Sequence, residues 1–340
     1  MRRLARAATA LAFCALARGV WAAPAPYRPD AQVAGVIRIW GQPGMVKLVQ
    51  AWADGFHRVQ PAARVEALLK GSATAIPGLY SGKADIALMG RENDITDDNG
   101  FGRVKQYKPT RLELLGGSLG TPGQSPALAV VVRRDNPLSR LTLAQLDALF
   151  GCEGRRGLPP IRTWGDLGLT GAWRGRPVRL HAVDAETGTG IFFQNTVLLG
   201  SRKMNWAQLT EHRDQTRPNG ARYRSGAQIA DAVRRDRYAL GVASLADPGP
   251  GLKVVALGET PAGPFYRPTR ETVIGRQYPL ARRTYAFIDR KPGAPIDPAV
   301  REFLRYALSR DGQDAAARSG GYLPLDTVEA DRQLQRVDER

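Results

Sequence analysis

One arrangement of apolar and polar positions recurs along the chain: an apolar strand, then a short glycine-containing loop, then residues whose apolar members recur at helical spacing. The first copy has a strand over residues 33–40, a loop over 41–44 and a helix over 45–59. Further copies begin with strands at residues 65–69 and 178–183. Strands that alternate with helices in this way form right-handed βαβ units. The pattern therefore predicts an α/β protein whose mostly parallel sheets are flanked by helices.

Two stretches rich in glycine and proline divide this pattern into lobes. Residues 116–126 contain four Gly and two Pro, and residues 247–268 contain four Gly and five Pro. Such stretches are typical of connections between domains, and a chain of 340 residues has room for two. They predict two crossings between the lobes. The predicted boundaries are 33–122 plus 262–326 for the first lobe, 123–261 for the second lobe and 327–340 for a C-terminal tail.

The N-terminus has the composition of a secretory signal peptide. Three arginines among the first six residues precede an apolar stretch over 7–17 that is too short to span a bilayer, and residues 20–22 offer a small-x-small cleavage site. We therefore predict a signal peptide over 1–22 and a periplasmic or secreted protein. Phe13 before Cys14 is too large for a lipoprotein cleavage site, so no lipid anchor is expected. Cys152 is then the sole cysteine, which predicts no internal disulfide and no cysteine metal site.

The net charge of +17 is the unusual property of the composition. Removing the four arginines of residues 1–22 lowers it to +13, and only eight of the basic residues in the whole chain are Lys. Arginine runs such as 155–156, 234–235 and 282–283 are expected to be mostly solvated faces. No interleaved aromatic residues, helix-turn-helix or zinc module accompany them, so we expect no nucleic-acid partner. We expect the charge to steer an anionic ligand toward the protein.

Three of the strand-to-helix loops have the composition of an anion site. Residues 71–74 (GSAT) and 187–189 (TGT) place small hydroxyl residues at helix N-termini, and residues 41–44 are a weaker third version. Such loops direct free backbone N–H groups and the positive end of a helix dipole at one point. Ligands of open α/β sheets bind at the carboxyl ends of strands, where these loops lie. The loops therefore predict an anion bound between the lobes.

Arg91 is the candidate cation of this site. It follows the third strand, over residues 85–89, at its carboxyl end, and a guanidinium fork suits a tetrahedral oxyanion. Two placements remain open from the residues themselves: toward the cleft, or at the surface in an ion pair with Glu92 or Asp94. The sequence has no GxxxxGK[ST], GxGxxG or HExxH motif, so we expect no cofactor, no metal and no catalytic residue.

Several segments together resemble one known family, the type 2 periplasmic binding proteins, and within it the phosphate-binding subunits of phosphate ABC importers. The resemblance covers nearly all of the chain from Val33 to about Asp326. It implies a two-lobed fold with the ligand in the interlobe cleft, hinge closure on inorganic phosphate or a similar oxyanion, a membrane permease as partner, and a monomer. The segments that carry it are 82–87 (GKADIA), 136–138 (NPL), 163–168 (TWGDLG), 187–189 (TGT), 239–245 (ALGVASL), 278–280 (YPL), 308–313 (LSRDGQ) and 321–325 (GYLPL).

The resemblance also implies a set of ligand-binding residues. Two positions depart from the family. Val183 stands where the family often has Arg, and Gly90 stands where it often has an acid or a serine. Loss of that acid predicts weaker discrimination against sulfate, and Arg91 could supply the missing positive charge. The implied residues are Gly44 and Met45 through their backbone, Ser72, Arg91, Thr187, Gly188 and Thr189.

Two other classes of function stay open at this point. A secreted phosphatase could bind a phosphomonoester in the same loops, with Ser72 or Thr187 as the nucleophile, although neither has a neighbouring His or Lys in the sequence. A structural or adhesion protein on the same fold would bind no small anion at all. Binding without chemistry is the function that we expect.

Overall fold

The computed structural model describes residues 23–339 and has two α/β lobes. The predicted signal peptide over 1–22 lies outside the described residues. Within 23–339, no helix combines the length and apolar character needed to cross a membrane.

The first lobe is built on a five-stranded sheet of order β2-β1-β3-β14-β4. The chain forms its first part, continues into the second lobe, and returns to add β14 and three helices. The elements are β1 Gly35–Gly41, α1 Val46–Val59, β2 Ala63–Leu68, α2 Ser72–Tyr80, β3 Ile86–Met89, α3 Ile95–Lys105 and β4 Thr110–Gly116, and, after the return, β14 Arg283–Ile288, α8 Pro298–Leu308, α9 Arg310–Gly320 and α10 Thr327–Asp338.

The second lobe is built on a five-stranded sheet of order β12-β5-β11-β7-β8. Two short ribbons, β9 with β10 and β6 with β13, flank it. The elements are β5 Leu128–Arg133, β6 Arg140–Thr142, α4 Leu143–Phe150, β7 Arg179–Val183, α5 Gly188–Val197, β8 Leu209–His212, β9 Gln215–Thr216, β10 Arg222–Tyr223, α6 Ser225–Arg235, β11 Ala239–Ser244, β12 Leu252–Val254, β13 Ala256–Gly258 and α7 Arg270–Ile274.

The prediction of a two-lobed α/β protein with mostly parallel sheets is confirmed, and in each large sheet one strand runs against the other four. In the first sheet β1 pairs in parallel with β2 and β3, whereas β14 is antiparallel to β3 and β4. In the second sheet β7 is parallel to β11 and β8, whereas β5 is antiparallel to β11 and β12. Strands β14 and β5 each enter a sheet directly after a crossing between lobes. They lack the preceding helical crossover that would make them parallel to their neighbours.

Each large sheet is covered by apolar side chains on both faces. In the first lobe Trp52 and Phe303 pack on one face, and Leu79 and Phe101 pack on the other. These four side chains are less than 2 % exposed, as expected for the large residues of a close-packed core. Burial on both faces explains why the strands are apolar almost throughout.

The second crossing lies later in the chain than residue 262. Tyr278 and Leu280 are buried in the core of the second lobe, and the Tyr278 hydroxyl donates to the carbonyl oxygen of Leu128 in β5 at 2.8 Å. The chain returns to the first lobe only where β14 starts at Arg283. Residues 327–338, expected as part of a tail, form α10, whose Ala330 and Val337 lie in the core of the first lobe.

Candidate functional site

Five of the seven predicted ligand-binding residues line one cavity between the lobes. This cavity, of about 350 Å³, is called the arginine cavity, and Ser72, Arg91, Thr187, Gly188 and Thr189 all contribute to it. Ser72 is the first residue of α2, and Gly188 and Thr189 open α5. The N-termini of two helices from different lobes therefore face one space, as the loop compositions predict.

Thr187 holds the start of α5 in place. Its Oγ1 accepts a hydrogen bond from the Gly190 N–H at 3.1 Å and donates to the Asp184 carbonyl oxygen at 2.7 Å. An N-cap of this kind satisfies one of the free N–H groups of the first turn and leaves the others for a ligand.

Gly44 and Met45 do not line the arginine cavity. The Met45 N–H donates to the Gln42 carbonyl oxygen at 3.1 Å, and its side chain is buried in the core of the first lobe. Gly44 packs against the first crossing, since a Cβ added to it would lie 1.8 Å from the Gly123 carbonyl oxygen. The role of these two residues stays a prediction. From their loop, Gln42 lines the arginine cavity instead.

Arg91 is buried and lies between the lobes, with an ion-pair partner that sequence reasoning did not consider. Its side chain is 3 % exposed, and Nη1 donates to Asp97 Oδ2 at 2.5 Å and to the Glu92 carbonyl oxygen at 2.8 Å. Its Nε is buried without a hydrogen-bond partner in the part of the chain that the structure describes. A buried donor without a partner costs free energy.

Arg282 is the candidate site residue that sequence reasoning missed, and it lines the arginine cavity. Its side chain is 3 % exposed. The expectation that the arginine run 282–283 is a solvated face is therefore wrong for Arg282. Nε and Nη2 donate to the Gly90 carbonyl oxygen at 3.1 and 2.7 Å, and Nη1 donates to Thr189 Oγ1 of the other lobe at 2.8 Å. Among residues 23–339, no carboxylate forms an ion pair with it.

The cleft holds one guanidinium group that no carboxylate balances among the described residues, that of Arg282, and Arg91, which is paired with Asp97, lies near it. Burial, together with repulsion from Arg91, lowers the pKa of Arg282 to about 10. A guanidinium that is buried without a carboxylate destabilises the ligand-free site, and an anion between the two cations offsets that cost. The arrangement can therefore bind a tetrahedral oxyanion strongly.

The antiparallel placement of β14 explains how Arg282 reaches the site. Tyr285 of β14 pairs with Met89 of β3, so the start of β14 lies at the carboxyl end of β3, beside Gly90. No local sequence pattern around residue 282 indicates at which edge of the sheet β14 will begin. The segment 278–280 just before it, which the family resemblance singled out, was the one available signal.

The lobes touch each other beside the arginine cavity. A Cβ added to Gly188 of the second lobe would lie 3.3 Å from Ser72 Oγ of the first lobe. Arg202 of the second lobe forms an ion pair with Asp94 of the first lobe at 2.8 Å, and Asp94 is also the N-cap of α3. These contacts join the two lobes beside the arginine cavity.

A second cavity, called the side cavity, adjoins the first. It measures about 410 Å³ and shares Gln42, Thr187, Thr189 and Arg282 with the arginine cavity. His212 also lines it, and His212 Nε2 lies 3.0 Å from Nδ1 of His181. Burial lowers the pKa of both histidines, that of His181 to about 4, to which the nearby His212 also contributes.

The carboxylates near the two cavities have different roles. Asp184 forms an ion pair with Arg213 at 2.5 Å and is buried, whereas Glu186 is exposed and lines the arginine cavity. Among the residues with assigned structure, no group of three or more His, Cys, Asp or Glu side chains is placed to hold a metal ion.

Comparisons with known proteins point to one family. Residues 27–311 match the model of the PBP superfamily domain. A phosphate-binding protein PstS of Pseudomonas aeruginosa is 29% identical, and the alignment covers 98% of this chain and 99% of that protein. A solved ABC-type phosphate transport receptor from Vibrio cholerae has a TM-score of 0.59 at 19% identity, covering 85% of this chain and 100% of that one. PstS from Borrelia burgdorferi has a TM-score of 0.58 at 16% identity, covering 86% and 99%. The two solved structures share the fold.

Proposed function

This chain belongs to the family of the PBP superfamily domain, and on that premise we propose that it is an extracytoplasmic solute-binding protein that captures inorganic phosphate for ABC import. The observation that carries the proposal is the pair of buried guanidinium groups, Arg91 and Arg282, facing two helix N-termini in one interlobe cavity. Phosphate has the charge and the tetrahedral set of oxygens that such donors recognise. The phosphate-binding proteins named above support the choice of ligand.

Titration calorimetry with inorganic phosphate tests the proposal directly. We expect a single site that is saturated by phosphate and is not occupied by nitrate, which is planar and singly charged. Small-angle scattering should show a more compact particle with phosphate, because closing lobes move about their hinge. A protein that binds no phosphate and keeps the same dimensions in its presence would contradict the proposal.

We also expect no turnover of phosphomonoesters. Thr187 Oγ1 donates its proton to a backbone carbonyl and caps α5, so no base accepts that proton. Residues 116–120 (GGSLG) match the spacing of a hydrolase nucleophile motif, but Ser118 is fully buried and its Oγ donates to the Thr121 carbonyl oxygen at 3.1 Å. Neither hydroxyl has the adjacent base that an activated nucleophile requires. Turnover of an aryl phosphate that is lost in Ser72→Ala or in Thr187→Val would establish the phosphatase alternative instead.

Export and delivery are the remaining parts of the proposal. The predicted signal peptide over 1–22 would direct the chain out of the cytoplasm, where it would work as a monomer that passes phosphate to a permease in the inner membrane. Cell fractionation of the full chain and of a variant lacking residues 2–22 tests export. Retention of both in the cytoplasm would rule out this location.

A further inference from the structure

The side cavity belongs to the second lobe and to the crossings. Of its lining residues, only Gln42 comes from the first lobe, whereas residues such as His212, Arg224 and Asp247 come from the second lobe and Arg282 comes from the second crossing. Its walls therefore persist when the two lobes move relative to each other as rigid bodies. The residues that it shares with the arginine cavity make the two spaces continuous.

The side cavity is large enough for an organic group. The arginine cavity of about 350 Å³ contains the donors that face an anion, and the side cavity adds about 410 Å³ beside them. Binding sites for small organic molecules typically measure about 300–1,000 Å³. The side cavity by itself therefore has the size of such a site, next to the place where an anion binds.

Asp247 places a carboxylate on the wall of the side cavity. Its side chain is 5 % exposed, and Oδ1 accepts a hydrogen bond from Arg224 Nη2 at 2.8 Å. Oδ2 accepts no hydrogen bond from the described residues, and it lies over the first turn of α6, where a Cβ added to Gly226 would be 1.8 Å from it. Burial raises the pKa of Asp247, to which the nearby Asp214 carboxylate also contributes. The cavity wall thus has a carboxylate oxygen that lacks a donor.

Capture of an anion alone does not explain this wall. Asp214 and Asp247 both line the side cavity, and carboxylates repel a phosphate ion. Arg213 and Arg224 line it too, and each pairs with a carboxylate, so the wall carries charges of both signs. A hydroxyl group suits such a wall, because it can donate to a carboxylate and accept from a guanidinium group. An ammonium group could only donate.

We propose that the cleft also captures a phosphomonoester with a short hydroxylated substituent, whose phosphoryl group lies in the arginine cavity and whose hydroxyl groups lie in the side cavity and donate to Asp247. The proposal rests on the proposed function and extends it from inorganic phosphate to organic phosphate esters. A phosphomonoester keeps three terminal oxygens for the guanidinium groups and helix N-termini, and its remaining oxygen carries the substituent. The ester is bound without being hydrolysed.

Titration calorimetry with glycerol 3-phosphate, propyl phosphate and inorganic phosphate tests this proposal. The two esters have the same carbon chain, but propyl phosphate lacks the hydroxyl groups. At roughly pH 8 all three ligands are mostly dianions, so charge does not distinguish them. We expect glycerol 3-phosphate to bind about tenfold more tightly than propyl phosphate. Inorganic phosphate should displace both esters, because the phosphoryl groups occupy one site.

Asp247→Asn keeps the shape of the side chain and removes its charge. We expect this variant to bind glycerol 3-phosphate about fivefold more weakly, because a hydrogen bond to a neutral acceptor is weaker than one to a carboxylate. Its affinities for propyl phosphate and inorganic phosphate should stay unchanged, and its binding of inorganic phosphate shows that it is folded.

Asp147→Asn is the matched control. Asp147 is also a carboxylate of the second lobe and is 2 % exposed, but it lines neither cavity. This variant should bind all three ligands as the wild type does. A loss of affinity for glycerol 3-phosphate as large as that in Asp247→Asn would overturn the proposal.

Four other results would also overturn it. They are binding of inorganic phosphate without binding of either ester, equal affinities of the wild type for the two esters, an unchanged preference between the esters in Asp247→Asn, and tighter binding of ethanolamine phosphate than of glycerol 3-phosphate. A wild type that binds neither inorganic phosphate nor an ester would instead refute the proposed function. The two failures are therefore distinguishable in one set of titrations.

Discussion

Replacing Arg282 by methionine should strongly weaken phosphate binding without weakening the ligand-free fold. Methionine keeps an unbranched apolar stem of similar length and removes the guanidinium group. That group lies in the cleft, donates to Thr189 Oγ1 across the lobes, and has no carboxylate partner among residues 23–339. Arg282→Met should therefore lose affinity for phosphate but not folding stability. Replacing an arginine whose role is purely structural would lower the folding stability as well.

The magnitudes follow from burial. Truncating one partner of a buried, hydrogen-bonded charge pair costs about 2–5 kcal/mol, which is roughly a 30- to 4,000-fold loss of affinity for phosphate. Burial lowers the pKa of Arg282 from 12.5 to about 10, so the fold disfavours its charged form when no anion is bound. That cost is on the order of 3 kcal/mol, and it is partly offset by the hydrogen bonds to Gly90 and Thr189. The melting temperature of ligand-free Arg282→Met should be equal to or above that of the wild type.

Calorimetric titration and thermal unfolding with and without phosphate measure both quantities. Phosphate should raise the melting temperature of the wild type and leave that of Arg282→Met unchanged. Arg283→Met is the matched control, because its guanidinium pairs with Glu113 at 3.3 Å and lines neither cavity. That variant should be less stable yet bind phosphate normally. Wild-type affinity in Arg282→Met would refute the assignment of Arg282 to the site.

Three further variants test other parts of the structure. Arg91→Ala should lose both phosphate binding in calorimetry and about 3–5 kcal/mol of unfolding free energy in urea, because Asp97 stays buried without its cation. Arg202→Ala should weaken phosphate binding only a few-fold and open the lobes in small-angle scattering, since it breaks the partly exposed pair with Asp94. The pKa of His181 falls from 6.5 to about 4 on folding, so the fold favours neutral imidazole and loses stability as the pH drops through that interval. In urea unfolding, His181→Phe should lose less free energy of unfolding between pH 7 and 4 than the wild type does. The same dependence of that free energy on pH in both proteins would contradict this prediction.

The local pattern of the chain was enough to predict the candidate binding loops. A strand, a glycine-containing loop and a helix start are all set by neighbouring residues, so the places of Ser72 and Thr187 at helix N-termini followed from sequence. Because both loops end parallel strands, their convergence at sheet edges followed as well. The same reasoning left the placement of Arg91 open, because an arginine beside two acids can pair locally or face a cleft.

Tertiary structure decided what completes the site. Arg282 reaches the cleft because β14 joins its sheet antiparallel to β3 after the second crossing. Its hydrogen bonds to Gly90 and Thr189 join residues that are far apart in the chain, and position 282 carries no periodic or motif signal of its own. Local sequence determines which segments become strands, loops and helices. The path by which the chain returns from the second lobe determines which side chains come together in the cleft. These contacts depend on strand direction and on packing space, which exist only once the lobes have folded.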